Sequence, residues 1–129
     1  MLEVGGAISC TGDVVANTSD RRLKTNIKNI ESPLEKIKKL NGVTFNWNEI
    51  ANTYVNKSEE VEEVGLIAQE VQAVLPQLVR PAPFDCNEDG TSKSGENYLT
   101  ISYDKLVALL IEAVKELQSE VEELKRSNK

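Results

Sequence analysis

From Tyr103 onward the sequence predicts one continuous helix with a narrow apolar seam. Valine and leucine each recur every seven residues along it, which fills the a and d positions of three heptads. The seam consists of Val107, Leu110, Val114, Leu117, Val121 and Leu124. An isolated helix of this length is marginally stable in water, and so narrow a stripe buries little surface against its own domain. The repeat therefore predicts a parallel coiled coil between copies of the chain.

A helix that packs on its own domain is the alternative interpretation. The first half of the helix fits it, because Leu109, Ile111 and Ala113 widen the apolar stripe. The stretch "LQSEVEELK" does not fit, because only the seam is apolar there. With valine at a, Glu120 at g and Lys125 at the following e have the spacing that pairs charges between parallel chains. Valine at a with leucine at d favours two strands, so the seam alone leaves the number of chains open.

The overall charge limits the classes of partner. The chain carries 15 basic and 21 acidic side chains, which gives a formal net charge of −6. Such an acidic chain is poorly suited to sequence-independent binding of nucleic acid or anionic lipid. No apolar run approaches the ~18 residues of a membrane span, and the N-terminus lacks the pattern of a secretory signal. We therefore expect no nucleic-acid or membrane partner, a soluble chain made in the cytosol, and free thiols at Cys10 and Cys86.

Short patterned segments before the helix predict a small α+β domain. Residues 4–16 alternate as an extended strand with small side chains on one face. "SPLEKIKKL" predicts a helix with Ser32 as its N-cap and Pro33 in its first turn. "VTFNW" and "YLTIS" predict strands, and "VGLIAQEVQAVLP" predicts a short strand and a helix that stops before Pro76. "NEIANTYVNKSEEVEE" reads as a solvated loop or weak helix, and "RPAPFDCNEDGTSKSGEN" as an irregular loop.

The stretch "SDRRLKTNI" places a possible nucleophile, Ser19, five positions before a possible base, Lys24. A serine hydroxyl is a weak nucleophile unless a neighbouring base takes its proton, and a chain without histidine leaves lysine for that role. An ordinary lysine is neutral at pH 7 in roughly one copy in 2,500, so burial or like charge must help. Arg21 and Arg22 supply like charge nearby.

The spacing also requires a bend. Positions five apart point about 140° away from each other on a straight helix. Ser19 and Lys24 can therefore meet only if the chain bends between them, or across a chain boundary. The alternative is that Thr18 or Ser19 caps a helix and the basic residues form a solvated face, although neither is followed at the third position by the Glu or Gln of a capping box.

Four segments, in this order, resemble a known family. They are "SDRRLKTNI", "VTFNW", "VGLIAQEVQAVLPQLV" and "YLTISYDKLVALLIEAVKEL". Together they are similar to the C-terminal intramolecular chaperone domain of phage tail spikes, fibres and neck appendages. This is the endosialidase-type serine-lysine autoprotease family, with relatives among the myelin regulatory factors. In that family "GLIAQEV" is a fold signature, and we expect its apolar residues to be core and its polar ones to carry no chemistry.

The resemblance implies a homotrimer that aligns three copies of an upstream fibre and then cuts itself off. Ser19 would be the nucleophile, Lys24 the general base, and the bond between Thr18 and Ser19 the one broken. Residues 1–18 would be the released end of the fibre strand, 19–102 the chaperone and autoprotease domain, and 103–129 the helix of a trimeric coiled coil.

The same resemblance implies a single-turnover reaction that requires no cofactor. Assembly would take place in the host cytoplasm, and the released domain would be absent from the mature virion or loosely associated with it. The residues leave open whether cleavage occurs within one chain or between chains. A permanent oligomeric cap or adhesin tip that never cuts is the alternative function.

The acidic loop "DCNEDGTSKSGE" is a second candidate site. It fits the spacing of a calcium-binding loop, with glycine at the sharp turn and oxygen ligands at Asp85, Asn87, Asp89, Thr91 and Glu96. Against calcium, "RPAPF" cannot form the entering helix and a lysine occupies the ninth position. The alternative is an acidic surface loop without metal. Any calcium would be structural, and a melting temperature that a chelator leaves unchanged would exclude it.

Overall fold

The computed structural model describes residue 2 and residues 4–128 of the chain. Its helices and strands, in chain order, are α1 (Pro33–Lys38), β1 (Val43–Asn46), α2 (Glu49–Tyr54), β2 (Glu62–Gly65), α3 (Ala68–Val74), β3 (Val79–Pro81), β4 (Leu99–Ile101) and α4 (Leu106–Ser127). The result is a small mixed helix and strand domain followed by one long helix of 22 residues. This confirms the α+β fold class and the long C-terminal helix.

The strands form two separate antiparallel pairs. β1 pairs with β2, with Val43 opposite Gly65, and β3 pairs with β4, with Val79 opposite Ile101. Strands β1 and β4 and helix α3 lie where the sequence patterns predicted them. Strand β2 begins at Glu62, so its first two residues are a correction to the predicted loop or weak helix; they are ordered by pairing with β1. Strand β3 is a correction, because its last two residues, Arg80 and Pro81, were expected to be irregular loop. Their pairing depends on β4, a contact between distant segments that turn-rich local sequence does not reveal.

The core is small and lies between α3, the β3–β4 pair and the first half of α4. Val71, Leu78 and Ile101 form one buried cluster. On α4, Leu109 is fully buried and Ala113 is 6% exposed. Helix α1 packs against α4. The first turns of α4 are therefore fixed by the domain itself, as the widened apolar stripe predicted.

Helix α1 begins where Ser32 and Pro33 predicted, but an acid from α4 replaces the expected serine cap. Ser32 occupies the N-cap position with a left-handed backbone, at φ 48°, and its side chain makes no capping hydrogen bond. The backbone N–H of Leu34 donates instead to Oε2 of Glu116, at 3.0 Å. A long-range contact thus satisfies an orphan donor of the helix terminus.

Strand β2 ends at a glycine because a tyrosine approaches its backbone closely. A Cβ atom on Gly65 would lie 2.8 Å from the Tyr103 Oη. The same hydroxyl oxygen accepts a hydrogen bond from the backbone N–H of Leu66, at 3.0 Å. This contact joins the segment between β2 and α3 to the 3-10 turn Tyr103–Lys105, which leads into α4.

The predicted strand over residues 4–16 forms no ladder within the described part of the single chain. Its apolar side chains Ile8, Val14 and Val15 are 76%, 78% and 95% exposed. A strand needs a neighbour to satisfy its backbone groups, and the expected neighbours were other copies of the fibre. The assignment of residues 1–18 to the end of a fibre strand stays a prediction, with residues 1 and 3 outside the described part.

The single chain exposes far more surface than a compact protein of its mass. Its accessible surface is 10790 Å², whereas a compact monomer of this size exposes roughly 6,800 Å². Part of the exposed surface is apolar, since all six seam residues of α4 are between 41% and 63% exposed. No helix among the described residues is long and apolar enough to cross a bilayer.

We expect Leu109→Ala to lower the free energy of unfolding by about 2–5 kcal/mol, because the change leaves a cavity at a fully buried position. The matched control is Ile50→Ala, at a side chain that is 57% exposed, which should change stability by less than about 0.5 kcal/mol. Urea unfolding at one fixed protein concentration measures both. Equal losses from the two variants would contradict the packing described above.

Candidate active site

Ser19 and Lys24 lie on either side of a single 3-10 turn, Arg21–Leu23. The residues that flank this turn, Asp20 and Lys24, have extended backbone angles, so the chain bends between the two side chains. The Lys24 Nζ donates a hydrogen bond to the Ser19 Oγ at 2.6 Å. The bend that the spacing required is therefore present, and the contact forms within one chain.

Asp20 closes the turn between Ser19 and Lys24. Its carboxylate accepts a hydrogen bond from the Arg22 backbone N–H at 2.8 Å, and the Arg22 guanidinium binds both carboxylate oxygens at 3.1 and 2.9 Å. The guanidinium, followed by the backbone N–H, lowers the pKa of Asp20, and the same pair raises the pKa of Arg22. Because Arg22 is paired with a carboxylate, less of its charge acts on Lys24 than the sequence predicted.

The alternative interpretation, a helix cap at Thr18 or Ser19, is wrong. The N-cap of the turn is Asp20, whose side chain accepts from the backbone N–H of Arg22. A carboxylate one residue later has taken the place of a hydroxyl cap. The Ser19 hydroxyl is therefore left to contact Lys24 instead of the helix backbone.

The pair lines an open cleft of about 820 Å³. The upstream chain enters this cleft through Asn17 and Thr18, so the bond between Thr18 and Ser19 lies on its wall. The opposing surface includes Leu78 of the core and Asp104 from the turn that leads into α4. The cleft therefore brings the start of the domain against the start of its last helix.

Two acids of α4 hold the chain that follows the turn Arg21–Leu23. Glu112 accepts a hydrogen bond from Asn29 Nδ2 at 2.5 Å, and Glu116 accepts from the Leu34 backbone N–H. Glu112 also pairs with Lys115 at 2.9 Å. The hydrogen bonds from Asn29 and then from Lys115 lower the pKa of Glu112. The segment after the turn is thus fixed along one side of α4.

A hydroxyl in contact with an amine can give up its proton as it attacks a carbonyl carbon. Ser19 and Lys24 supply these two groups, and the peptide carbonyl of Thr18 is adjacent to Ser19 in the chain. Both side chains are exposed in the single chain. Water therefore reaches the pair. It competes with Ser19 and Lys24 for their hydrogen bonds, and it can hydrolyse an ester formed on Ser19.

Sequence reasoning missed three acids that organise this site. A signal for Asp20 was present, because Asp at the start of a tight turn often binds the backbone two residues later. Asp104 and Glu112 gave no local signal. They lie 87 and 83 positions from Asn17 and Asn29, the residues that they bind.

The segment "GLIAQEV" contributes to the core, as expected. Leu66 and Ala68 pack against the buried cluster that contains Val71. Of its polar side chains, Glu70 accepts a hydrogen bond from Asn41 Nδ2 at 3.0 Å. This contact joins α3 to the chain between α1 and β1.

The acidic loop is organised around Asp85, which is 3% exposed. Its carboxylate accepts hydrogen bonds from the Ser92 hydroxyl at 2.6 Å and from the backbone N–H groups of Ser94 and Tyr98 at 2.8 and 3.2 Å. The Ser92 hydroxyl is the main cause that lowers the pKa of Asp85, to about 2. Donors from the loop itself thus satisfy this carboxylate.

The predicted calcium ligands do not converge as a metal cluster. Asp89 accepts hydrogen bonds from the backbone N–H and the hydroxyl of Thr91. In residue 2 and residues 4–128, no group of three His, Cys, Asp or Glu side chains could hold a metal ion. The contacts of Asp85 and Asp89 favour the loop without metal, and calcium binding stays a prediction from spacing. Calcium binding through the other predicted ligands, Asn87, Thr91 and Glu96, likewise stays a prediction.

The contribution of Asp85 to the free energy of unfolding should fall as the pH is lowered. Its folded pKa of about 2 lies below the unfolded value, near 3.9, so the contribution is present above about pH 4 and is lost as the pH falls towards 2. Asp85→Asn lacks this titration, and we expect the gap in melting temperature between wild type and variant to shrink over that range.

The matched control for this titration is Glu88→Gln. The Glu88 side chain is exposed on the same loop and makes no hydrogen bond among the described residues. The melting temperature of Glu88→Gln should follow the wild-type curve at every pH. A constant gap between wild type and Asp85→Asn from pH 6 to pH 2 would refute the role of Asp85.

Comparison with known proteins identifies relatives of this chain. Residues 19–80 match the family model of a peptidase family described as the chaperone of endosialidase. The long tail fibre protein Gp37 of Enterobacteria phage K3 is 43% identical over 106 residues, which are 82% of this chain and 8% of that protein. Gp37 of Salmonella phage S16 is 36% identical over 125 residues, 97% of this chain and 15% of that protein.

A relative from outside the phages is also similar to this chain. Myelin regulatory factor homolog 1 of Caenorhabditis elegans is 39% identical over 82 residues, 61% of this chain and 9% of that protein. The chain therefore corresponds to a small part of much longer relatives. The family match and the similarity to the phage fibre proteins show that this chain belongs to the chaperone of endosialidase family.

Proposed function

We propose that this domain is an intramolecular chaperone that associates as a homotrimer, aligns three copies of an upstream fibre segment, and then cuts the bond between Thr18 and Ser19. The contact of 2.6 Å between the Lys24 Nζ and the Ser19 Oγ carries the chemical part of the proposal. The family match, which begins at Ser19, supports it. In the proposed reaction Ser19 is the nucleophile and Lys24 is the general base.

The first step transfers the acyl group from nitrogen to oxygen. The reacting form has a neutral Lys24 amine, so that the Ser19 hydroxyl donates to it. The Oγ atom attacks the carbonyl carbon of Thr18 while its proton moves to the Lys24 Nζ. The new C–O bond forms, the C–N bond between Thr18 and Ser19 breaks, and the leaving amine of Ser19 takes a proton from Lys24. The product is an ester between the Thr18 carbonyl and the Ser19 Oγ.

The second step is hydrolysis of that ester. A water molecule adds to the Thr18 carbonyl carbon, and the Ser19 Oγ leaves and regains a proton. The chain is then divided into residues 1–18, which end in a carboxylate, and a domain that begins with the free amine of Ser19. Each chain reacts once, so the chemistry is that of an enzyme without turnover.

The exposed seam of α4 supports assembly. Its six side chains are 41–63% exposed in the single chain, although their heptad spacing suits close packing between parallel helices. The proposed coiled coil would remove this surface from water and account for part of the excess area of the single chain. The number three follows the family resemblance, since the seam itself also suits two strands.

Assembly would also change the surroundings of the catalytic pair. Ser19 and Lys24 are exposed in the single chain. Removal of water from an ammonium group favours its neutral form, which is the form a general base requires. In the proposed trimer a neighbouring chain would supply this cover, so that cleavage follows assembly.

There is a physical reason for cleavage to follow assembly. An intertwined fibre consists of contacts between chains, and closing its first layer costs conformational entropy before those contacts form. A preassembled trimer fixes the register in advance. Once the fibre has folded, its lifetime depends on the unfolding barrier, and the released domain is no longer needed. We place these events in the host cytoplasm during virion assembly.

Cleavage is tested by the intact mass of the purified 129-residue chain. We expect wild type to lose residues 1–18, and Ser19→Ala to keep them because it lacks the nucleophile. Lys24→Arg should also stay whole, since arginine cannot be deprotonated in proteins. Arg21→Lys, at a neighbouring basic residue outside the hydrogen-bonded pair, is the control and should cleave. A wild type that assembles and remains whole would leave the permanent cap as the function.

The oligomeric state is tested by sedimentation equilibrium. Ser19→Ala should have a mass three times the 14.3 kDa of the chain. Leu117→Lys places a charge in the seam and should lower the mass towards that of a monomer. Glu123→Lys adds the same side chain outside the seam and should leave the trimer intact. A Ser19→Ala protein that sediments as a monomer or a dimer contradicts the proposed trimer.

A further inference from the structure

The segment upstream of Ser19 is attached to the domain at one polar contact. Asn17 Nδ2 donates a hydrogen bond to Asp104 Oδ2 at 2.8 Å. Among residue 2 and residues 4–18, this is the one hydrogen bond that reaches the rest of the described chain; the Cys10 thiol bonds within the segment, to the carbonyl of Gly12. The attachment lies two residues before the nucleophile Ser19. It therefore acts directly on the orientation of the peptide bond that would break.

The backbone at Asn17 is also unusual. Its φ is 61°, in the left-handed region that side chains with a Cβ rarely adopt. Asparagine is among the residues that tolerate this region best, and the bond to Asp104 opposes relaxation to an extended backbone. The direction in which the chain enters the cleft is thus set by a tertiary contact.

The position of Asp104 in the fold allows it to fix the direction in which the chain enters the cleft. It lies in the 3-10 turn Tyr103–Lys105, which runs directly into α4. The buried side chain of Leu109 anchors the first turns of α4 to the core. Asp104, Asn17 and the pair of Ser19 and Lys24 line the same cleft. A rigid helix start therefore holds the chain on the upstream side of the bond.

The downstream side of the bond is held by the same helix. Glu112 and Glu116 accept hydrogen bonds from Asn29 and from the backbone of Leu34. Asp104, in the turn before α4, and Glu112 and Glu116, on α4 itself, bind Asn17, Asn29 and Leu34 in that order. The scissile bond lies between the first two of these anchors.

We propose that Asp104 is a positioning residue for self-cleavage, and that Asn17 is the sequence feature it recognises. The hydrogen bond between them holds the chain so that the Thr18 carbonyl faces the Ser19 hydroxyl. Asp104 makes no hydrogen bond to Ser19 or Lys24, and it acts through Asn17. This inference rests on the proposed cleavage of the Thr18–Ser19 bond.

Cleavage rates during cell-free synthesis of the 129-residue chain provide the test, with the fraction cut followed by gel electrophoresis. Asp104→Ala removes the acceptor, and we expect cleavage to slow on the order of tenfold or more, since a small displacement of reacting groups is costly. Asp104→Asn keeps an amide oxygen that can still accept from Asn17. We expect it to cleave within about threefold of wild type.

A charge exchange separates positioning from a general structural role. Asn17→Asp puts two carboxylates together and should slow cleavage at least as much as Asp104→Ala. Combining Asn17→Asp with Asp104→Asn exchanges donor and acceptor and should restore the rate to within about threefold of wild type. Glu123→Ala removes a carboxylate about five turns further along α4 and should leave the rate unchanged.

The outcomes distinguish this inference from the proposed function. If wild type cleaves and Asp104→Ala cleaves at the same rate, the positioning role is refuted while self-cleavage stands. If the double variant is as slow as Asn17→Asp alone, the contact between Asn17 and Asp104 is not what sets the rate, and the inference also fails. A wild type that never cleaves overturns both.

Discussion

The packing of α4 on the domain is the constraint on which the rest of the structure depends. Its buried side chains, Leu109 and Ala113, fix the helix to the core. Glu112 and Glu116 then bind the segment that follows the turn Arg21–Leu23, and Glu116 accepts a hydrogen bond from a backbone N–H at the start of α1. The seam that would join copies of the chain lies on other side chains of the same helix. One rigid element therefore links the proposed oligomer contact to the surroundings of the candidate active site.

The turn Arg21–Leu23 has a different physical basis from the remainder of the candidate site. Ser19 and Lys24 are five residues apart, and the pair of Asp20 and Arg22 between them closes the turn by local hydrogen bonds. Such short-range contacts can form in a single chain. Placing the upstream chain against this turn requires Asp104, which is brought there by tertiary folding. Local contacts thus bring the Ser19 hydroxyl and the Lys24 amine together, whereas the turn that leads into α4 holds the chain before Ser19.

The candidate site could be predicted in part from the sequence. The residue types and spacing identified Ser19 and Lys24 as a possible pair that requires a bend between them. In the structure a 3-10 turn brings the two side chains to 2.6 Å, while their catalytic roles stay a prediction. Asp104 escaped prediction because nothing near Tyr103 or α4 indicates a partner 87 positions earlier. The acidic loop illustrates the opposite problem. Its spacing suggested calcium ligands, but spacing does not reveal that the Asp85 carboxylate is surrounded by the loop's own donors.

Residues close together along the chain specify the features that could be predicted without the fold. These are the α+β class, the long helix with its heptad seam, most of the short strands, and the pairing of a hydroxyl with an amine across one turn. Tertiary structure alone decided the register of β3 with β4, the cap of α1 by Glu116 and the attachment of Asn17 to Asp104. The physical reason is the distance along the chain over which each interaction acts. Backbone periodicity and turn geometry act over a few residues and leave a pattern in the sequence, whereas a hydrogen bond between distant segments leaves none until packing brings its two ends together.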